Sequence, residues 1–345
     1  MQVWLPFFLF WLLLFKPGDP IDGAAQPAAG PGGSEYCHDE VVFSNLADDA
    51  DGYWLFEPAA PKPDSAHVIV FLHGYGAINP MIYGGWIRHL VRQGNIVIYP
   101  RYQKNLFTPR PDAFADNAAK AIREALEKLS CQGEHVRPIV EPLIIAGHSY
   151  GGTIAANLGV NFADFGIPQP QGLLLCAPGT GPLKGGRLVS YEGLPEDTRL
   201  LVLVSINDHV VGEELGRLIF ETAVNTPQRN LVRLLPDDHG TPPLTSVHNE
   251  SYALDAAFDA GIHNASYHRS LSTAKLDAAD FYAQWKLLDA LADCLRRGEN
   301  CHFAFGDTPE QRFMGTWSDG TPVRELEVIL PPVETAGGGG GGNGQ

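Results

Sequence analysis

Short apolar runs recur along the chain at Tyr53–Phe56, His67–Leu72, Ile96–Tyr99, Pro142–Ala146, Leu173–Cys176, Leu200–Ser205 and Leu231–Leu235. Two of them, His67-Val-Ile-Val-Phe-Leu72 and Leu200-Leu-Val-Leu-Val-Ser205, are apolar continuously rather than alternately. A strand with that pattern is covered on both faces, as in a parallel sheet. Helical periodicity fills the gaps between the runs. Over Asp112–Leu129, Phe114, Ala118, Ala121, Ile122, Ala125 and Leu129 share one face, with charge on the other. Further helices are expected over Gly152–Phe162, Gly212–Ala223 and Ala278–Arg297. Strands alternating with helices of this length imply right-handed crossovers and helices on both faces of one mostly parallel, twisted sheet. The fold class is α/β.

Both ends depart from this pattern. Val3–Phe15 is a run of 13 apolar residues with Pro6 inside it. It is too short to cross a hydrocarbon core, which takes about 20 residues. It suits the apolar region of a secretory signal, and Gly23-Ala24-Ala25 supplies small residues for a cleavage site. No Lys or Arg precedes the run, the first basic residue being Lys16, so an uncleaved membrane anchor is the alternative. The expected organisation is a signal over 1–25, an N-terminal extension over 26–51, and one domain over 52–331. Within the domain, 241–275 is read as a lid and 301–331 as a C-terminal strap. Gly337–Gln345 is nearly all glycine, and 332–345 is read as a flexible tail. The expected location is secreted or periplasmic.

Composition narrows the classes of partner. The 345 residues carry 24 Lys and Arg against 40 Asp and Glu, a formal charge of −16, with no basic stripe to offset it locally. Such a surface repels phosphate backbones, so nucleic acid is not expected as a partner, and no obligatory protein partner is evident. Five cysteines are too few for a disulfide scaffold. Cys294 and Cys301 bracket what reads as a helix end turning at Gly298. A bridge there would close a small loop and add about 2.5 kcal/mol, two unpaired surface thiols being the alternative. Cys176, in an apolar run, reads as a buried free thiol, and pairing of Cys37 with Cys131 is left open.

The candidate chemistry centres on Gly147-His148-Ser149-Tyr150-Gly151, which directly follows the apolar run Pro142–Ala146 and directly precedes a helix. A serine at a sharp strand-to-helix turn needs glycine two residues to either side, because side chains there would collide. The turn lifts the hydroxyl above the carboxyl edge of the sheet and aims the Tyr150 amide at the same space. A phosphate-cradling glycine turn is the plainer reading, and the flanking strand and helix weigh against it. A serine hydroxyl needs an oriented imidazole to become a nucleophile. Asp208 follows the run ending at Ser205, and His239 follows the run ending at Leu235, both at the edge where groups converge in α/β sheets. The order Ser149, Asp208, His239 is the one that follows a nucleophile elbow. Of the other candidates, His209 adjoins Asp208 and should point elsewhere. His248 and His263 follow no strand and read as surface or lid residues. Asp237 and Asp238 read as turn residues, and His148 as a buried, hydrogen-bonded packing residue. For the oxyanion, His73-Gly74-Tyr75-Gly76 follows an early strand, its glycines let the backbone approach, and the Tyr75 amide pairs with that of Tyr150.

With these motifs, residues 52 to about 300 resemble the α/β-hydrolase superfamily. The His-Gly-x oxyanion loop, without a triple-glycine run, resembles the branch holding chlorophyllases, dienelactone-hydrolase-like enzymes and cutinase-like polyester hydrolases. The resemblance implies a serine esterase with no cofactor and no metal, acting on a small-molecule or polymer ester through an acyl-enzyme. Amide or peptide cleavage on the same three residues is the second reading. A catalytically silent protein that keeps the fold for binding is the third.

Overall fold

The computed structural model describes residues 20–332 apart from Gln132. One nine-stranded sheet organises them, with strands β1 (Glu40–Leu46), β2 (Tyr53–Ala59), β3 (Ser65–Leu72), β4 (Asn95–Pro100), β5 (Arg137–His148), β6 (Pro170–Cys176), β7 (Arg199–Ser205), β8 (Arg229–Leu234) and β9 (Glu327–Ile329). Their spatial order is β1-β2-β4-β3-β5-β6-β7-β8-β9. The six strands from β4 to β8 in that order run parallel. An antiparallel pair, β1 and β2, closes one edge, and β9 lies antiparallel on β8 at the other. The fold is that of the α/β hydrolases.

The described residues form six longer helices, α1 (Gly84–Arg92), α2 (Phe114–Ser130), α3 (Tyr150–Val160), α4 (Glu214–Thr222), α5 (Ala265–Thr273) and α6 (Lys286–Arg297), and all but α5 pack against the sheet. β3 shows why its run is apolar throughout. Ile69 and Phe71 point into a core shared with Trp86 and Leu90 of α1 and Leu291 of α6. Val68, Val70 and Leu72 point into the opposite core, with Ile122 of α2, Ile154 of α3 and Ile219 of α4. Both faces are buried, so neither can be polar.

All seven expected strands form, and the four expected helices form with shifted ends. The last of them opens as a π-helical stretch over Ala279–Trp285 before α6, which ends at Gly298 in the left-handed region, φ +69°. The Cys294–Cys301 disulfide forms across this turn. Cys37 and Cys131 are separate, exposed thiols, and Cys176 is buried. Four of these elements lacked a readable signal: β1, whose faces are both partly exposed, α1, which opens on two glycines, α5, which buries only Ser270, and the three-residue β9.

Residues 1–19 of the expected signal and 333–345 of the expected tail lie outside the described residues. The segment proposed for cleavage is described, and it is packed. Ala24 is buried, Thr241 N donates to Ile21 O at 2.8 Å, Ser318 N to Asp22 O at 3.0 Å, and the Tyr282 hydroxyl to Ala25 O at 2.9 Å. Further on, Gly32 N donates to Asp289 Oδ2 of α6 at 2.8 Å. No described helix is long and apolar enough to cross a membrane.

Candidate active site

The β5–α3 turn places Ser149 at φ +55°, ψ −120°, a strained conformation for a residue with a side chain. Its flanking glycines are obligatory. A Cβ on Gly151 would stand 2.0 Å from Leu72 O, and one on Gly147 2.4 Å from Gly151 O. Ser149 N donates to Cys176 O at 2.9 Å, which ties the turn to the end of β6. The hydroxyl is left at the carboxyl edge of the sheet, facing a cleft of about 390 Å3.

Asp208 sits just past β7 with its side chain fully buried. One carboxylate oxygen, Oδ1, accepts the amides of Val210 (2.8 Å) and Val211 (3.0 Å). The other, Oδ2, is thereby aimed at a histidine, and that histidine is His248. His248 Nδ1 donates to Asp208 Oδ2 at 2.7 Å, and His248 Nε2 lies 2.9 Å from Ser149 Oγ. Burial pushes the Asp208 carboxyl up, but the His248 ring and the two amides outweigh it and hold it below the ordinary carboxylate range.

His239, expected as the base, is elsewhere. It is exposed, with Nε2 2.8 Å from Asp319 Oδ2, and its ring packs near Trp317 of the C-terminal segment. The path of the chain explains the difference. After β8 the backbone turns out over Asp237–Leu244, a small hairpin closed by an antiparallel bridge between those two residues. His239 rides at its outer end. The chain regains the sheet edge only at Ser246, whose hydroxyl accepts Ile206 N (3.0 Å) and donates to Leu234 O (2.6 Å), while Ser246 O accepts Asn207 N (2.9 Å). Two residues later His248 meets Asp208. A signal for this path was present: Gly240 and Pro242-Pro243 punctuate a turn, and Leu244 marks an apolar return. Asp237 serves its turn as expected, accepting His239 N (3.1 Å) and also Trp317 Nε1 (3.0 Å) and Arg324 N (2.8 Å).

The structure brings the loop after β3 alongside the elbow. Gly74 N donates to the Tyr83 hydroxyl (2.9 Å) and Gly76 N to Gln103 Oε1 (2.8 Å). Between them, the Tyr75 amide has no acceptor among the described residues, and neither has that of Tyr150 at the first turn of α3. Both tyrosines line the cleft with Ser149. His73 is fully buried, one ring nitrogen on Arg101 O (2.8 Å) and the other on Gly74 O (2.7 Å), and burial pushes it down to about 4.

His148 is buried and hydrogen-bonded, as expected, at both ring nitrogens. Its Nε2 lies 2.8 Å from the backbone carbonyl of His248, which can only accept, so Nε2 carries the proton. Its Nδ1 must then accept from the Tyr83 hydroxyl at 2.9 Å, whose oxygen accepts Gly74 N. Burial first, and the His248 ring beside it second, push His148 down to about 3, which keeps this neutral tautomer in place. A single buried chain therefore joins the loop after β3, the elbow and the backbone of His248. Among the described residues no cluster of three His, Cys, Asp or Glu side chains is set to hold a metal ion.

A mostly parallel sheet with a glycine-flanked serine at a β5–α3 elbow defines an α/β hydrolase. Residues 58–217 match the family model described as Chlorophyllase. That match marks the chain as a hydrolase; it runs through β3–β7 with Ser149 and Asp208, and stops short of β8 and His248. No curated protein matches the chain.

Proposed function

We propose that the protein is a carboxylic ester hydrolase that works through an acyl-enzyme. The reading rests on one observation, the continuous contact Ser149 Oγ–His248 Nε2 and His248 Nδ1–Asp208 Oδ2 at 2.9 and 2.7 Å. His248 takes the Ser149 proton as the oxygen attacks the ester carbonyl, and Asp208 holds the ring in the tautomer that can accept it. The carbonyl oxygen becomes an oxyanion between the Tyr75 and Tyr150 amides, where each donor is worth about 2.7–4 kcal/mol to the transition state. The tetrahedral adduct collapses as His248 passes its proton to the leaving alcohol. Water then attacks the acyl-serine by the same route and releases the acid and the free hydroxyl.

The family match supports hydrolase chemistry, and the two unengaged amides beside the serine support acyl transfer. A fluorophosphonate probe tests both. It should label the full chain at Ser149, and Ser149→Ala or His248→Ala should abolish labelling. A serine that stays unlabelled under conditions where the fold is intact by circular dichroism would overturn the reading.

A further inference from the structure

The cleft in front of Ser149 is mostly apolar, walled by Tyr75, Leu106, Leu183, Val211 and Tyr252. Its lining contains no carboxylate, and its only permanently charged residue is Arg269. In a chain with 40 acidic residues against 24 basic ones, that distribution runs against composition.

Arg269 is positioned from the site itself. α5 is seated on the oxyanion loop, with Asn264 Nδ2 donating to Gly76 O (2.7 Å) and Ser266 Oγ to Tyr75 O (3.3 Å). Ala265, Ser266 and Arg269 all line the cleft, and residues three and four apart share one helix face, so Arg269 stands a single turn beyond the contact with Tyr75. The charge is felt inside. Burial raises the Tyr252 hydroxyl to about 12, and the Arg269 guanidinium pulls against that rise. Arg269 is exposed, and its guanidinium meets no carboxylate within 4.0 Å among the described residues, which leaves its donors open to a ligand. A groove that shares Thr180 and Val210 with the cleft continues the bias with Lys184 and Arg187 against a single acid, Glu214.

We infer that the substrate is an ester with an apolar body and an anionic group, a carboxylate or a phosphate, which Arg269 receives while the ester carbonyl lies at Ser149. This rests on the ester-hydrolase reading above. The guanidinium offers paired donors to either oxyanion, and the uncharged walls leave it without a competing acid.

The experiment compares matched pairs that differ only in charge. One is the 4-nitrophenyl monoester of adipic acid against its methyl diester; the second is 4-(hexanoyloxy)benzoate against its methyl ester; the third replaces that carboxylate by a phosphate. The first two ask which side of the ester carries the charge, and the third separates phosphate from carboxylate. At least one charged member should be preferred about five- to tenfold in kcat/KM, the size of a partly solvated ion pair, chiefly through KM. The preference should fall to near unity in Arg269→Gln, invert in Arg269→Glu, persist in Arg269→Lys and shrink with added salt. A preference unchanged in Arg269→Gln, or neutral members favoured in every pair, would overturn the inference. Equilibrium binding of the same pairs to Ser149→Ala keeps it separate from the chemistry. Charge preference that tracks residue 269 there sustains the anion site even if no ester turns over, and absence of turnover with an unlabelled Ser149 counts against the hydrolase reading alone.

Discussion

The elbow and the histidine loop meet in the same cleft but are held by opposite means. The elbow is fixed by backbone. Strand, turn and helix follow one another without a spare residue, and the glycines at 147 and 151 leave no room for a Cβ. The histidine loop is fixed by side chains. Between the end of β8 and His248 the chain leaves the sheet, makes a hairpin and returns, anchored by the Ser246 hydroxyl rather than by any strand. Backbone-fixed geometry is written in short sequence spacing. Side-chain-fixed geometry is written in contacts between residues far apart in the chain.

The two histidines of the loop put this contrast to its most severe test. His248→Ala should lower kcat/KM by about 10⁴- to 10⁶-fold, as expected when one member of a unit that acts together is removed. His239→Ala, at an exposed hairpin tip, should stay within about twofold, because it deletes only a surface pair with Asp319. Steady-state kinetics on one activated ester decides it. The reverse ranking would mean that the loop adopts a different path when substrate is bound.

What was legible in the sequence divides along the same line. Seven strands, the sheet type and the elbow were readable because continuous apolar runs and glycine spacing are local signals. Asp208 was readable as well, since it follows β7 by three residues. The histidine was not. Proximity to a strand end favoured His239, and nothing local announces that Ser246 will reach back to Leu234 and Ile206. The disulfide across Gly298 was legible from a seven-residue separation. The burial of Ala24 was hidden, because a run of small residues before a domain carries no apolar pattern of its own.

The two regions touch through His148, which belongs to the elbow by sequence and holds the carbonyl of His248 by its ring. Tyr83→Phe probes that junction by removing the hydroxyl between His148 and Gly74. It leaves one buried imidazole nitrogen and one amide without partners, a cost of about 1–3 kcal/mol. We expect kcat to fall about 10- to 100-fold with KM little changed, since these hydrogen bonds position reacting groups rather than substrate. His148→Gln, which can still donate to the His248 carbonyl, should retain more activity than His148→Leu. Equal activities in these two would show that the ring only fills space.

A milder effect is expected where the histidine loop is floored. Two residues beyond His248, Glu250 holds Val247 N with Oε1 at 2.8 Å, and its carboxyl lies near Asp277 and Asp280 at the start of the π-helical stretch, with Lys275 as the nearby cation. Burial above all, with repulsion from Asp277, pushes Glu250 and Asp280 above the ordinary range against the hydrogen bonds that lower them, Asp280 the furthest, and burial does the same to Asp277. Raised values mean that the folded chain holds protons which the unfolded chain has released. The stability they contribute is complete below the unfolded carboxyl value and is lost as pH climbs through the folded values. Asp280→Asn keeps an oxygen to accept Asp277 N, as Asp280 Oδ2 does at 3.0 Å, and cannot ionise. It should therefore raise Tm at pH 8 by about 2–5 °C and by less at pH 5, on the scaling of roughly 2 °C per kcal/mol for a chain of this size. Melting curves at the two pH values read the difference directly. An equal shift at both would remove the buried carboxyls from any account of what holds His248, and leave Ser246 as the main tie between that loop and the sheet.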